Sequence, residues 1–114
     1  MSKIDNFTKS FFAKQAKCIE KLSKQENQIE KITSLLIKKR NTGKKIFTIG
    51  NGGSASTASH FVSDLLKTSI TKKNKRFKAI SLVDNLPVIL AWANDTSYDG
   101  IFEEQLKNLI SKND

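Results

Sequence analysis

The first place where residue types and spacing suggest chemistry is Gly50-Asn51-Gly52-Gly53-Ser54. Glycines let a backbone turn sharply and come close to a ligand. If a helix starts here, its free N–H groups attract an anion. Ser54 can cap that helix and still offer its hydroxyl to a substrate oxygen. A plain strand-to-helix turn needs one glycine and seldom uses more. The run is not the G-x-G-x-x-G dinucleotide fingerprint, and no Gly-Lys-Ser/Thr follows to make a P-loop. It points to a small anionic or hydroxylated ligand.

His60 and Asp64 follow, four residues apart. On a helix that spacing puts both side chains on one face. An imidazole and a carboxylate so placed can share a divalent metal or work as an acid and base pair. Two ligands do not complete a zinc site, and a surface hydrogen bond accounts for the same spacing. Asn94-Asp95-Thr96 is a further polar cluster. Asp95 can cap the helix ahead or point into the crevice of the glycine loop, and an Asx turn is an equally adequate reading. Asp84-Asn85 carries the same ambiguity.

These residues need elements to hold them. Lys45 to Ile49 is short, β-branched and apolar, and Gly50 stops it, as in a buried strand. Ser54 to Lys67 reads as helix, Lys78 to Val83 as a second strand. Leu86 to Trp92 reads as a short helix with Pro87 in its first turn, where a missing N–H costs little. Tyr98 to Ser111 reads as a last helix. This order predicts a parallel α/β sheet, whose ligands sit outside the carboxyl ends of the strands. Upstream, Ile4, Phe7, Phe11, Cys18 and Leu22, then Ile29, Ile32, Leu35 and Leu36, mark two amphipathic helices that end at Asn41-Thr42-Gly43. Residues 1–43 are thus expected to form a helical hairpin and residues 44–114 a βαβα segment. Two strands make no stable sheet in isolation. The apolar stripe needs a cover, either the sheet or a second copy of the hairpin.

At 114 residues the chain suits one domain. Its 38% hydrophobic and 27% charged residues are ordinary for a soluble globular protein. No apolar run approaches a membrane span, and the first residues do not read as a signal peptide. Cys18 is the only cysteine, which excludes an internal disulfide and suits the cytoplasm. The net charge of +9 concentrates in an acid-free run from Lys67 to Lys78. Such a run can steer a phosphorylated partner or simply be solvated. With two arginines in the chain and Phe77 the lone aromatic in the run, nucleic-acid binding is the weaker reading.

Ile46 to Ser54 followed by Ala58-Ser59-His60-Phe61, with Ser81-Leu82-Val83-Asp84-Asn85 and Ala91-Trp92-Ala93-Asn94-Asp95-Thr96-Ser97-Tyr98, closely resembles the phosphoheptose (sedoheptulose-7-phosphate) isomerases of the sugar isomerase (SIS) domain group. The resemblance implies a flavodoxin-like α/β fold assembled as a homo-oligomer, a tetramer, with sites between subunits. It implies conversion of a 2-ketose phosphate to an aldose phosphate, on the way to heptose for cell-surface polysaccharide. By the same resemblance Asn51, Gly52 and Gly53 hold the sugar, Ser54 helps with the phosphate end, and Asn94 and Asp95 contact the substrate. His60 and Asp64 fall on a zinc-ligand pair, and Asp64 on the carboxylate that moves the proton. The family usually has glutamate where this chain has Asp64. A carboxylate displaced by about an ångström can cost on the order of a hundredfold in rate unless the backbone compensates. Family members also continue with a strand, a Ser/Thr-rich phosphate loop and a late helix that finish the site, so the expectation is an N-terminal portion carrying half of it. Two other readings stay open: a non-catalytic sugar-phosphate-binding module of the same fold, and a basic scaffold or nucleic-acid-associated protein.

Overall fold

The computed structural model describes residues 3–114, with side chains from Ile4 onward. The described residues divide into two compact units, one ending at Leu35 and the other comprising residues 36–114.

In the first unit, α1 (Lys3–Ser23) and the start of α2 (Glu26–Asn41) are separated by a turn at Lys24 and Gln25. The apolar stripe predicted from the sequence is present but uncovered. Ile4, Phe7, Phe12 and Ile19 are each at least 65% exposed, and no residue of α2 is buried. Phe7 and Phe11 stack with ring centroids 6.3 Å apart, and Phe12 meets Phe11 edge-on at 6.0 Å.

The second unit is built on a two-stranded parallel sheet. β1 (Lys45–Thr48) pairs with β2 (Lys78–Ser81) in a register that sets Lys45 opposite Lys78 and Thr48 opposite Ser81. Between them the chain forms α3 (Gly53–Ser63), whose Ala58 and Val62 are buried. Val62, Leu65 and Ala79 make the core, with Ile46 and Phe77 packed against them. The Thr48 hydroxyl donates to the Ala58 carbonyl at 3.0 Å, which ties the strand end to the helix. Next come α4 (Leu86–Asp95) and α5 (Glu103–Leu109). Leu82 and Ile101 are almost wholly buried there. Gln105, also buried, donates its amide to the Leu82 carbonyl at 3.0 Å and the Ile101 carbonyl at 2.7 Å, so it is satisfied where an unpaired amide would be costly.

Three details differ from the sequence reading. The helix after the glycine loop does not run on to Lys67 as α-helix. Its last turn, Asp64–Thr68, is π-helical, with the Ser69 N–H reaching back to the Asp64 carbonyl at 2.9 Å. The last helix begins at Glu103 rather than Tyr98. Extended backbone at Ser97 (φ −161°, ψ 154°) leads into a 3₁₀ turn, Tyr98–Gly100, which delivers Ile101 to the interior. α4 continues to Asp95, so Asp95 closes that helix and does not cap the next one. Of the two polar pairs, it is Asn85 that caps, accepting from the Val88 N–H at 3.4 Å. No helix among the described residues is long and apolar enough to cross a membrane.

Candidate functional site

The glycine loop leaves the carboxyl end of β1 and enters α3, and its glycines have different reasons to be there. A Cβ on Gly50 would stand 2.4 Å from the Ser54 carbonyl oxygen and 2.8 Å from the Ala55 nitrogen, so the first turn of α3 rests against bare backbone. Gly52 lies at φ 54°, a left-handed conformation that side chains resist. Gly53 has neither constraint, and nothing stands within 4 Å of where its Cβ would be. The backbone there is open to an incoming ligand. Ser54, a possible cap by its residue type, does not take the cap position. Gly52 holds that position instead, two residues earlier, and Ser54 sits inside the first turn with its N–H on the Asn51 carbonyl at 3.0 Å. Its hydroxyl is on an exposed residue.

Asn51 is held a second time. The Tyr98 hydroxyl donates to Asn51 Oδ1 at 2.9 Å, joining positions 47 apart in the chain. Gly50, Asn51, Gly52 and Tyr98 line one small hollow of about 190 Å³, floored by Val83, Ile89 and Ile101.

His60, on α3, and Asp64, the first residue of the π-turn that follows it, meet as their spacing predicts. His60 Nε2 lies 3.6 Å from Asp64 Oδ2, longer than a hydrogen bond but close enough for both to face one ion. The other carboxylate oxygen, Oδ1, accepts from the Thr68 hydroxyl at 3.0 Å. Both side chains are open to solvent, 80% and 51% exposed. His60 borders two clefts: one of about 430 Å³ shared with Thr57, Phe61 and Asp64, and one of about 540 Å³ shared with Ser59, Ser63 and Asp84. No cluster of three or more His, Cys, Asp or Glu side chains occurs among the described residues. His60 and Asp64 suit zinc in donor type and supply half of a tetrahedral set. Asn94 donates its amide to the Asp95 carboxylate at 2.8 Å, and the two line neither the hollow nor the His60 clefts.

Sequence reasoning passed over Tyr98 and Thr68 as site residues. Thr68 lies four residues beyond Asp64, a visible signal; no local spacing links Tyr98 to Asn51. The basic run is partly engaged by its own unit. The Lys75 ammonium donates to the Asn41 carbonyl at 2.9 Å, and the Arg40 guanidinium stands 5.3 Å from the centre of the Phe77 ring.

This architecture matches known proteins. The chain is 36% identical over 112 residues to the phosphoheptose isomerase of Helicobacter pylori, a match covering 97% of this chain and 58% of that protein. It is 38% identical over 88 residues to a probable phosphoheptose isomerase of Thermoplasma volcanium, covering 77% of this chain and 44% of that one. The structure of a phosphoheptose isomerase from Francisella tularensis superposes with a TM-score of 0.81 at 26% identity, covering 96% of this chain and 56% of the other. The chain thus spans about half the length of the relatives it matches. Residues 10–114 match the family described as the SIS domain, and the chain belongs to that family.

Proposed function

We propose that this chain carries the sugar-binding loop and the proton-transfer carboxylate of an isomerase that converts sedoheptulose 7-phosphate to a heptose 7-phosphate. The observation that carries the reading is the joining of an open glycine loop at the end of β1 to a helix bearing the His60–Asp64 pair. The relatives named phosphoheptose isomerase support the substrate class.

The reaction moves a carbonyl from C2 to C1. A base removes a proton from C1, the C–H electrons become the C1=C2 bond, and the C2 carbonyl oxygen takes up a proton to give an enediol. Return of a proton to C2 and loss of the C1 hydroxyl proton complete the aldose. Asp64 is the carboxylate on the helix that leaves the loop, and we assign it the base. The Thr68 hydroxyl donates to its Oδ1 and holds the carboxylate in place. By the family resemblance Asn51, Gly52 and Gly53 hold the sugar and Ser54 assists the phosphate end, while Asn94 and Asp95 would contact a substrate that reaches beyond the hollow, which they do not line. The basic residues between Lys67 and Lys78 raise the local concentration of the phosphorylated ligand. His60 and Asp64 would hold a zinc ion together with ligands from outside the described residues. Bound there, zinc would stabilise charge developing on the substrate oxygens. The uncovered faces of α1 and α2 support assembly as a homo-oligomer, the resemblance implying a tetramer, and the single exposed thiol of Cys18 suits a reducing cytoplasm.

The test is a titration of the ¹⁵N-labelled chain with sedoheptulose 7-phosphate, free sedoheptulose and a short DNA duplex. Amide shifts from the phosphorylated sugar should cluster at Asn51–Ser54 and near Asn94, with little from the free sugar. Shifts confined to residues 67–78 and seen with DNA alone would overturn the reading in favour of the charge-based one.

A further inference from the structure

We infer that Tyr98 is a positioning residue, which turns the side-chain amide of Asn51 so that its N–H₂ group is the face offered to a ligand. The inference rests on the sugar-phosphate reading only for the ligand's identity; the positioning itself is a property of the free protein.

Both oxygens of Asn51 are engaged within its own unit. The backbone carbonyl accepts from the Ser54 N–H at 3.0 Å, and Oδ1 accepts from the Tyr98 hydroxyl at 2.9 Å. Nδ2 is then the side-chain atom left to face outward, and an amide nitrogen only donates. A loop offering this donor selects a ligand with an oxygen acceptor, such as a sugar carbonyl or hydroxyl oxygen. Without Tyr98 the amide loses this hold and is free to rotate.

Tyr98 can hold the amide because its own backbone is fixed at both ends. Upstream, the N–H groups of Thr96 and Ser97 both reach the Trp92 carbonyl at 3.1 Å, which anchors the end of α4. Downstream, Ile101 is 2% exposed and its N–H donates to the Tyr98 carbonyl at 3.3 Å. The 3₁₀ turn between these anchors explains why the helix expected from Tyr98 does not form there. A Tyr98 in the first turn of α5 would have a different direction from its anchor. Asn51 is in turn set by Gly52, whose left-handed φ fixes the loop path. The contact therefore joins two constrained backbones, and the ring lines the same hollow as Gly50 and Gly52.

The test compares wild type, Tyr98→Phe, Asn51→Ala and the double variant in the full chain. Tyr98→Phe keeps the ring and removes one hydroxyl. In the free protein the Asn51 side-chain amide should have an order parameter of about 0.8 in wild type and below about 0.6 in Tyr98→Phe. With sedoheptulose 7-phosphate as the probe, Tyr98→Phe should weaken binding by about 3- to 10-fold, the value of one hydrogen bond. In the Asn51→Ala background the same change should have less than about a twofold effect, because Tyr98 acts through Asn51. Additive losses, or an Asn51 amide equally rigid in both proteins, would overturn the inference. Absence of sugar-phosphate binding by wild type would instead overturn the proposed function, with the free-state order parameter still deciding the role of Tyr98.

Discussion

Asp114 grips Lys45 at two points: its Oδ1 accepts from the Lys45 backbone N–H at 3.0 Å, and its Oδ2 lies 3.0 Å from the Lys45 ammonium. The same Oδ2 accepts from the Ser111 N–H at 2.8 Å. The carboxylate is thus the cap on the first residue of β1. The backbone N–H of Lys45, with its ammonium and the Ser111 N–H adding to it, draws the Asp114 carboxyl down to about 2. A depressed folded-state pKa stabilises the fold above the unfolded value of 3.8 and is lost as pH falls toward about 2. Thermal melts between pH 5 and pH 2 should therefore show a steep loss in wild type and a shallower one in Asp114→Asn. The variant should be the less stable protein at neutral pH, and the gap should close near pH 2. Parallel curves would mean that this carboxylate does not anchor the strand.

Gly50 and Gly53 make opposite predictions from one substitution. Gly50→Ala forces a methyl group against the Ser54 carbonyl and should destabilise by on the order of 1–3 kcal/mol, the range for overpacking. Gly53→Ala meets no atom and no left-handed φ, and replaces a helical glycine. It should stabilise by about 0.5–1 kcal/mol in urea melts while weakening sugar-phosphate binding, since the added methyl stands on the open side of the loop. A Gly53→Ala protein that binds as tightly as wild type would show that the ligand does not approach there.

Those glycines also mark where the sequence was legible and where it was not. Three glycines in four positions announced a loop, yet letters alone do not separate the close approach at Gly50 from the dihedral demand at Gly52 or the openness of Gly53. β1 was legible because Ile46, Phe47 and Thr48 are strong strand formers next to a stop. The π-turn at Asp64–Thr68 was not. Leu65 and Leu66 fit an α-helical period as well as a wider one, and the choice depends on burying Leu65 beside Val62 and Ala79. The His60–Asp64 contact followed from an i, i+4 rule that holds before the π-turn begins. The Tyr98–Asn51 bond followed from no local rule, because Ser97-Tyr98-Asp99-Gly100 reads as an ordinary helix start until Ile101 is seen to be interior.

The exposed aromatic face of α1 predicts self-association. Phe7, Phe11 and Phe12 are 71%, 47% and 65% exposed and lie together on one helix. A contiguous apolar face of this kind is rarely left in water. Light scattering at micromolar concentration should give a mass above that of one chain, and Phe11→Asp should move it toward the monomer. A compact wild-type monomer at that concentration would refute the assignment of this face to an interface.

The carboxylate chemistry gives the last prediction. Asp64 is one methylene shorter than the glutamate that the family resemblance leads one to expect, and it sits at the first residue of the π-turn, with Thr68 on one oxygen and His60 3.6 Å from the other. If Asp64 takes the C1 proton, that proton sits on a half-exposed carboxyl group and exchanges with water whenever exchange outpaces its return to C2. Incorporation of solvent deuterium into the sugar phosphate therefore reports on Asp64 without requiring full turnover, and the assay applies to this chain or to an assembly that complements it. Asp64→Asn keeps the shape, removes the base and should abolish incorporation, with sugar-phosphate affinity unchanged within a few-fold. Asp64→Glu restores the longer reach and should retain or raise the rate. Thr68→Val should slow incorporation by about 2- to 10-fold, the value of one hydrogen bond holding the carboxylate, and Thr68→Ser should restore it. Full incorporation by Asp64→Asn would remove Asp64 from the proton path and leave its contacts with His60 and Thr68 a structural role alone.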